Sequence, residues 1–189
     1  MHVCLGGRGL PRGHPQRFVL SVLDSLLGGS LSSRLFQEVR EKRGLAYSIY
    51  SFTSMYGETG LVGVYFGCRP DRLAQVTETV DAELVHVSTE PVPTEELERA
   101  KQHLKGRMLL GLESTNSRMI RLGKAVLMGT EILSLDEMTR RVEAVTAEQV
   151  LELAADLFDP CGFSVAGIGT EKGCFEEAFA NGGLGSTTR

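Results

Sequence analysis

Hydrophobic residues in the first third of the chain follow a strand pattern, then a helical pattern, then a strand pattern again. Residues 2–5 form a short apolar run that a glycine-rich loop follows. Apolar residues at helical spacing over 19–27 predict an amphipathic helix that begins near Pro15 and ends at Gly28 in a left-handed conformation. Over 45–68, aromatic and β-branched residues flank the turn GETG. This pattern predicts a β-hairpin.

Helical spacing dominates the middle of the chain. The segment SSRLFQEVREKRG, residues 32–44, has inward-facing apolar positions and places Gly44 at its carboxyl end, which predicts a second helix. Residues 71–88 predict a third. Thr94 is placed to cap a long helix whose acidic first turn suits the helix dipole, and a further helix is expected at about 116–128.

The last part of the chain completes the predicted fold. Capping-box spacing at 134–137 and at 146–149 predicts two short helices, and 162–169 reads as a final strand. Grouped strands with separate helices predict an α+β fold. Residues 1–170 are expected to form one domain, and 171–189, which end in NGGLGSTTR, a flexible tail.

Composition restricts the class of protein. The chain has 189 residues, 42% hydrophobic and 23% charged, with a net charge of −4, which is typical of an ordinary soluble domain. No apolar run approaches the roughly 20 residues of a membrane span, so no membrane association is expected. Its basic residues are scattered along an acidic chain, which argues against nucleic acid as a partner.

The cysteines and the amino-terminal segment predict a location. Cys4, Cys68, Cys161 and Cys174 include no C-x-x-C pair, so we expect free thiols in a reducing compartment. The first residues, MHVCLGGRGLPRG, have too short an apolar stretch for a secretory signal. We therefore expect a cytoplasmic protein.

The sequence offers no complete catalytic or metal-binding motif. Its four histidines never share a helical turn, so H-E-x-x-H and H-x-x-E-H are both absent. The serine-hydrolase motif G-x-S-x-G is also absent. In the loop GGRGLPRG, Arg12 stands where a dinucleotide fingerprint needs its third glycine. We therefore expect neither a catalytic residue nor a metal site in this chain alone.

Two donors do fall close together in the sequence. Arg40 lies in the last turn of the second predicted helix, Tyr47 begins the next strand, and the turn at Gly44 can bring both to one end of the sheet. A guanidinium and a phenol can hold a peptide carbonyl, and hold more strongly the oxyanion formed when it is attacked. Alternatively, Arg40 complements the helix dipole and Tyr47 packs in the core.

The stretch that contains this pair resembles a known family. LLGGSLSSRLFQEVREKRGLAYSIYS, residues 26–51, is similar to the hallmark segment of the carboxyl-terminal-type domain in the insulinase or pitrilysin family of zinc peptidases, which includes mitochondrial processing peptidase. The similarity extends over about 2–169. It implies an α+β domain with a mixed, mainly antiparallel sheet covered by helices.

The resemblance also implies a division of labour between two domains. In this family an amino-terminal-type domain carries H-x-x-E-H and zinc, while the carboxyl-terminal type supplies an arginine and a tyrosine that hold the substrate. Carried over, these become Arg40 and Tyr47. Gly28 and Gly29 correspond to a glycine-rich loop implicated in substrate handling, and a helix C-cap followed by an N-cap explains them equally well. Zinc is then expected on a partner domain or subunit.

Three functions are then to be weighed. The first is the substrate-holding half of a zinc endopeptidase that acts on unfolded or extended peptides. The alternative is a structural subunit without chemistry, like the core subunits of the cytochrome bc complex. A third is a monomeric domain that binds extended peptides without a partner. The sequence leaves open whether the chain is a segment of a longer protein, a split subunit or a degenerate gene product.

Overall fold

A computed structural model describes residues 1–159 and 162–180 of the chain. The strands are β1 (His2–Gly9), β2 (Ala46–Met55), β3 (Gly60–Cys68) and β4 (Ser164–Ile168). The α-helices are α1 (Arg17–Leu27), α2 (Leu73–Thr89), α3 (Thr94–Glu113), α4 (Thr115–Leu127), α5 (Leu135–Glu143), α6 (Ala147–Leu157) and α7 (Lys172–Ala180). A π-helix spans Phe36–Glu41, and a 3₁₀ turn at Pro70–Arg72 precedes α2.

The four described strands form one sheet in the order β2-β3-β1-β4. Each neighbouring pair is antiparallel, so the hairpin of β2 and β3 lies beside β1, and β4 closes the other edge. The predicted α+β architecture is confirmed, as are the hairpin and the final strand.

The core lies between one face of this sheet and the helices. Strand residues alternate in direction, and the inward set packs against α1, α2 and α6 in one continuous apolar cluster. Its sheet members are Val3, Leu5, Ala46, Ile49, Val62, Val64, Phe66 and Cys68. Burial of such side chains stabilises the fold by roughly 1.5–3 kcal/mol each.

The opposite face of the sheet is exposed in the described part of the chain. The outward residues of β1 and β3 include His2, Arg8 and Leu61, and Ile168 of β4 is 79% exposed. Described helices pack on the other face only, so this face is accessible to a ligand or another domain. We call it the open face.

Several helix ends match their sequence signals. Thr146 and Gln149 form the predicted capping box, with both reciprocal hydrogen bonds present. Ser134 accepts a hydrogen bond from the backbone N–H of Glu137, 3.1 Å away. Thr94, by contrast, is the first helical residue of α3 after Pro93, so its predicted capping role is wrong.

Two glycines that the sequence placed at helix ends behave differently. Gly44 has φ +58° and turns the chain as predicted. Gly28 has φ −150°, so the left-handed cap predicted there is wrong. Its small size is needed for another reason, because a Cβ at Gly28 would lie 2.1 Å from the backbone nitrogen of Ser51.

The carboxyl-terminal prediction also needs correction in part. Residues 171–180, assigned to the flexible tail, include helix α7, in which the Phe175 and Phe179 rings lie 4.9 Å apart and pack against the core. Phe175 fits because Gly167 of β4 has no side chain to block the ring. Residues 181–189, like Cys161, lie outside the described residues.

Candidate functional site

Arg40 lies on a π-helix where an α-helix was predicted. Lys42 donates its backbone N–H to the carbonyl of Gln37, 2.9 Å away, which is the i to i+5 bond of this wider helix. The Arg40 side chain is exposed, and its guanidinium lies 4.9 Å from the centre of the Phe36 ring. Among the described residues no carboxylate forms an ion pair with Arg40, so its donors are available to a ligand.

A hydrogen-bonded turn connects Arg40 to the sheet. The N–H of Gly44 donates to the Arg40 carbonyl at 3.1 Å, and the N–H of Leu45 donates to the Val39 carbonyl at 2.9 Å. The positive φ of Gly44 permits this tight reversal. The backbone at Arg40 is therefore fixed relative to the first residues of β2.

Tyr47 occupies a β-bulge at the start of β2. Ala46 lies opposite Cys68 and Ser48 opposite Gly67, so Tyr47 is the one residue without a partner in the ladder. A bulge re-aims the side chain of its extra residue. The Tyr47 ring lies over Gly67, where a Cβ would come within 2.6 Å of ring atom Cζ and of Oη. The phenol lies on the open face and the side chain is 58% exposed.

His2 links Tyr47 to a second tyrosine on the open face. The Tyr47 Oη lies 3.2 Å from His2 Nε2, and the Tyr65 Oη lies 2.6 Å from His2 Nδ1. The Tyr65 ring also packs against Tyr50, with ring centres 4.9 Å apart. Burial, and then the neighbouring Tyr47 and Tyr50, raise the pKa of Tyr65. We call His2, Tyr47 and Tyr65 the histidine bridge.

Sequence reasoning missed His2. It sought histidines paired with carboxylates, whereas this imidazole pairs with two phenols from other strands. The available signal was the alternation of β1, which places His2 on the polar side while Val3 and Leu5 point to the core. The partners themselves depend on strand register, which the sequence pattern did not supply.

The structure thus places Arg40 and Tyr47 on either side of one fixed turn and leaves both exposed. The alternative that Tyr47 packs in the core is wrong. The guanidinium contacts Phe36 and the phenol contacts His2, and these two described residues do not bond to each other.

Gly28 and Gly29 have a packing explanation. Gly28 is the C-cap of α1, as the sequence indicated, and approaches β2 closely. A Cβ on Gly29 would lie 2.9 Å from the Cα of Ser25. Close backbone contact accounts for both glycines, and their role in substrate binding stays a prediction.

An ion pair fixes the segment that carries Arg40. Arg34 donates to both carboxylate oxygens of Glu96 at 2.7 and 2.8 Å, and these side chains are only 9% and 19% exposed. Burial alone would lower the pKa of Arg34, but the hydrogen bonds to Glu96 raise it above its ordinary value. The pair ties the start of the π-helix to the first turn of α3.

Other features of the described residues do not extend the site. A cleft of about 530 Å³, lined by Arg43, Arg72 and Glu83 among others, does not include Arg40 or Tyr47. Residues 1–159 and 162–180 contain no group of three histidine, cysteine or acidic side chains that could hold a metal ion. Within the same ranges, no helix has the length and apolar character to cross a membrane.

The described residues form a half-open α+β domain with two exposed hydrogen-bond donors near its β2 edge. Comparison with protein families identifies it further. Residues 1–104 match the family described as the peptidase M16 inactive domain. The chain belongs to this family, and is a carboxyl-terminal-type domain of the insulinase family of peptidases.

Sequence relatives agree with the family assignment. An uncharacterised zinc protease of Streptomyces coelicolor is 47% identical over 156 residues, which cover 82% of this chain and 34% of that protein. The chain spans little more than a third of the length of the curated relatives it matches.

Solved structures share the fold. The crystal structure of a peptidase M16 inactive domain from Pseudomonas fluorescens has a TM-score of 0.78 at 23% identity, covering 87% of this chain and 39% of that one. A chain of complex III₂ from Candida albicans has a TM-score of 0.78 at 17% identity, with 87% and 42% covered. These likenesses concern the fold alone.

Proposed function

We propose that this chain is the substrate-holding half of a zinc-dependent endopeptidase. The observation that carries the proposal is the bulge at Tyr47, which directs a phenol onto the open face over Gly67. Such an arrangement costs a regular ladder pair and exposes an aromatic side chain, so a ligand explains it better than packing does. Membership of a peptidase family, with zinc proteases among the relatives, supports the same function.

Arg40 and Tyr47 would both donate hydrogen bonds to the peptide that is cleaved. The Arg40 guanidinium and the Tyr47 hydroxyl both donate hydrogen bonds, and both suit a carbonyl oxygen that gains negative charge during attack. Zinc, bound by a partner that carries H-x-x-E-H, would supply the activated water. The part of this chain is to position the peptide and stabilise the oxyanion.

The sheet edge suits an extended peptide. β2 is an edge strand of the described sheet, and Tyr47 lies at its beginning. An extended peptide can add to an exposed edge through main-chain hydrogen bonds. This mode depends little on side chains, which favours unfolded or extended peptides as substrates over a defined sequence motif.

The partner we propose is a zinc-bearing amino-terminal-type domain or subunit of the same family. Helix α4, which is described in full, buries none of its residues. Its exposed apolar side chains are Met119, Ile120, Leu122, Val126 and Leu127. Several exposed apolar side chains on one helix typically mark an interface, and we assign this one to that partner. We call these five residues the α4 patch.

We also propose that the protein works in a reducing compartment, the cytoplasm. Cys4, Cys68 and Cys174 are free thiols. Burial raises the pKa of the Cys4 and Cys68 thiols, which disfavours the reactive thiolate.

Reconstitution tests the proposed function. The chain is mixed with a zinc-loaded family member that carries H-x-x-E-H but lacks its own domain of this type, and cleavage of a fluorogenic unstructured peptide is followed. We expect cleavage by the mixture and none by this chain alone. A stable complex that stays inert with zinc bound would contradict the proposal.

That inert outcome would favour the structural subunit. The fold that this chain shares with a chain of complex III₂ is the observation behind this second candidate. A scaffold has no use for an exposed Arg40 and Tyr47, which is why we rank it second. If peptide bound tightly to this chain without any partner, a simple peptide-binding domain would be the better description.

A further inference from the structure

The histidine bridge joins two phenols through one imidazole. His2 Nδ1 lies 2.6 Å from the Tyr65 Oη, and His2 Nε2 lies 3.2 Å from the Tyr47 Oη. A neutral imidazole carries a proton on one nitrogen only, so it donates at one end and accepts at the other. The position of that proton decides what the Tyr47 hydroxyl is able to do.

Two arrangements are chemically possible. In the first, the Tyr65 hydroxyl donates to Nδ1, and Nε2–H donates to the Tyr47 oxygen, which leaves the Tyr47 proton free for a ligand. In the second, Nδ1–H donates to Tyr65 and the Tyr47 hydroxyl donates to Nε2. The Tyr47 hydroxyl then donates its only proton to His2 and cannot donate a hydrogen bond to a peptide carbonyl.

The distances favour the first arrangement. Hydroxyl donors form hydrogen bonds of about 2.5–3.0 Å, whereas N–H donors to oxygen need about 2.7–3.2 Å. The 2.6 Å contact at Tyr65 therefore fits an O–H donor, and the 3.2 Å contact at Tyr47 fits an N–H donor.

Packing holds Tyr65 in place for this role. Its ring lies against Tyr50, with ring centres 4.9 Å apart, and Cys4 and Tyr50 flank it in the neighbouring strands. The Tyr50 hydroxyl itself has no hydrogen bond to any described residue. Tyr50 thus offers a matched control, since its hydroxyl can be removed while its ring packing stays.

We propose that His2 is a positioning residue: it accepts from Tyr65 and donates to Tyr47, so that the Tyr47 proton points toward a bound peptide carbonyl. This inference rests on the proposed function, because it assumes that Tyr47 holds substrate. His2 itself does not touch the reacting atoms. Its contribution is to make Tyr47 a donor and to fix the direction of the bond.

The first test determines which ring nitrogen of His2 carries the proton, in the intact chain without any partner. Nitrogen-15 NMR separates protonated from bare ring nitrogens, and the His2 signals are assigned by their loss in His2→Gln. We expect the Nε2–H tautomer, with a shift toward the other tautomer in Tyr65→Phe and no change in Tyr50→Phe. A predominant Nδ1–H tautomer in the unaltered chain would overturn the inference.

The second test measures peptide cleavage in the reconstituted pair. We expect His2→Phe to lower kcat/KM about tenfold or more, because the Tyr47 donor is then misdirected, but by no more than the roughly 10²–10³-fold loss caused by removing an oxyanion donor altogether. The double variant His2→Phe, Tyr47→Phe should be no worse than Tyr47→Phe alone. His2→Gln, which keeps a donor and an acceptor, should recover part of the activity, and Tyr50→Phe should retain all of it.

The outcomes separate the two proposals. Reduced activity in Tyr47→Phe with full activity in His2→Phe overturns the positioning role and leaves the proposed function intact. Full activity in Tyr47→Phe overturns the substrate-holding role of Tyr47, and the inference with it. Circular dichroism of each variant tests whether the substitution leaves the fold unchanged.

Discussion

The position of the Tyr47 side chain depends on two features, the β-bulge in β2 and the absence of a side chain at Gly67. The bulge moves Tyr47 out of the ladder, and Gly67 leaves the space that its ring occupies. Arg40 also depends on local backbone geometry, because it lies in the last turn of the π-helix and the left-handed Gly44 forms the turn that follows. The two donors are therefore set by glycines and by backbone hydrogen bonds more than by contacts of their own side chains.

Gly67→Ala tests this dependence. The new Cβ would lie 2.6 Å from Cζ and Oη of Tyr47, so the ring must move away from its place and from His2. We expect the reconstituted pair to lose about tenfold or more in kcat/KM, with a nearly unchanged circular dichroism spectrum. Gly57→Ala, in the hairpin turn with open space around the new Cβ, is the control. Equal activity of the two variants would contradict the account.

At the scale of elements, periodicity predicted the regular parts and missed the irregular ones. The hairpin, the helices α2 to α6 and the Thr146 capping box follow from spacing and cap chemistry that a single sequence displays. The π-helix and the bulge each shift the chain by one residue, and periodicity does not reveal such a shift. Helix α7 was missed because glycine-rich composition at the end of the chain outweighed its Phe175 and Phe179 pair.

Tertiary packing also explains the error at Gly28. The sequence suggested a left-handed cap, but the joint between α1 and β2 is what demands a glycine there. At this joint Ser51 donates its hydroxyl to the Asp24 carboxylate, 2.6 Å away. Burial raises the pKa of Asp24, and the hydrogen bond from Ser51 and the charge of Arg107 only partly oppose the increase.

This raised pKa gives a pH-dependent prediction. Because the folded state holds the Asp24 proton more tightly than the unfolded state does, the contribution of Asp24 favours folding at low pH. That contribution is lost as pH rises from the ordinary value of 3.8 through the raised folded pKa. Asp24→Asn, whose amide oxygen can still accept from Ser51, should therefore have a higher free energy of unfolding at pH 7 than the unaltered chain.

Urea unfolding at several pH values measures this effect. We expect the advantage of Asp24→Asn to shrink as pH falls through the raised folded pKa toward 3.8, and to stay constant at lower pH, where the carboxyl is neutral in both states. Glu78→Gln, which changes an exposed carboxylate on α2, should show no comparable advantage. A variant that is less stable at pH 7, by an amount independent of pH, would mean that the carboxylate charge stabilises the joint.

At the scale of the whole molecule, the open face and the α4 patch are two surfaces of different chemical character. The open face carries polar donors and an edge strand, which suits a transient peptide. The α4 patch is apolar, with Leu127 85% exposed, which suits a lasting contact with another domain. The family resemblance predicted the need for a partner, but only the folded chain indicates where the partner would bind.

Leu127→Asp tests the assignment of the α4 patch. A charge placed in an apolar interface must be desolvated without a partner, so we expect the dissociation constant for the zinc-bearing partner to rise at least about tenfold. Sedimentation velocity at several concentrations measures it. Val85→Asp makes the same change at an exposed apolar position of α2 and should bind as the unaltered chain does. Equal weakening by both variants would place the interface elsewhere.

The central claim is that Arg40 and Tyr47 hold the peptide that a partner's zinc cleaves. The most direct measurement is kcat/KM of the reconstituted pair for an unstructured peptide, with Arg40→Ala and Tyr47→Phe compared against the unaltered chain at equal zinc content. The account predicts that each variant loses on the order of 10²-fold while zinc and complex formation are retained. Unchanged kcat/KM in both variants would contradict it.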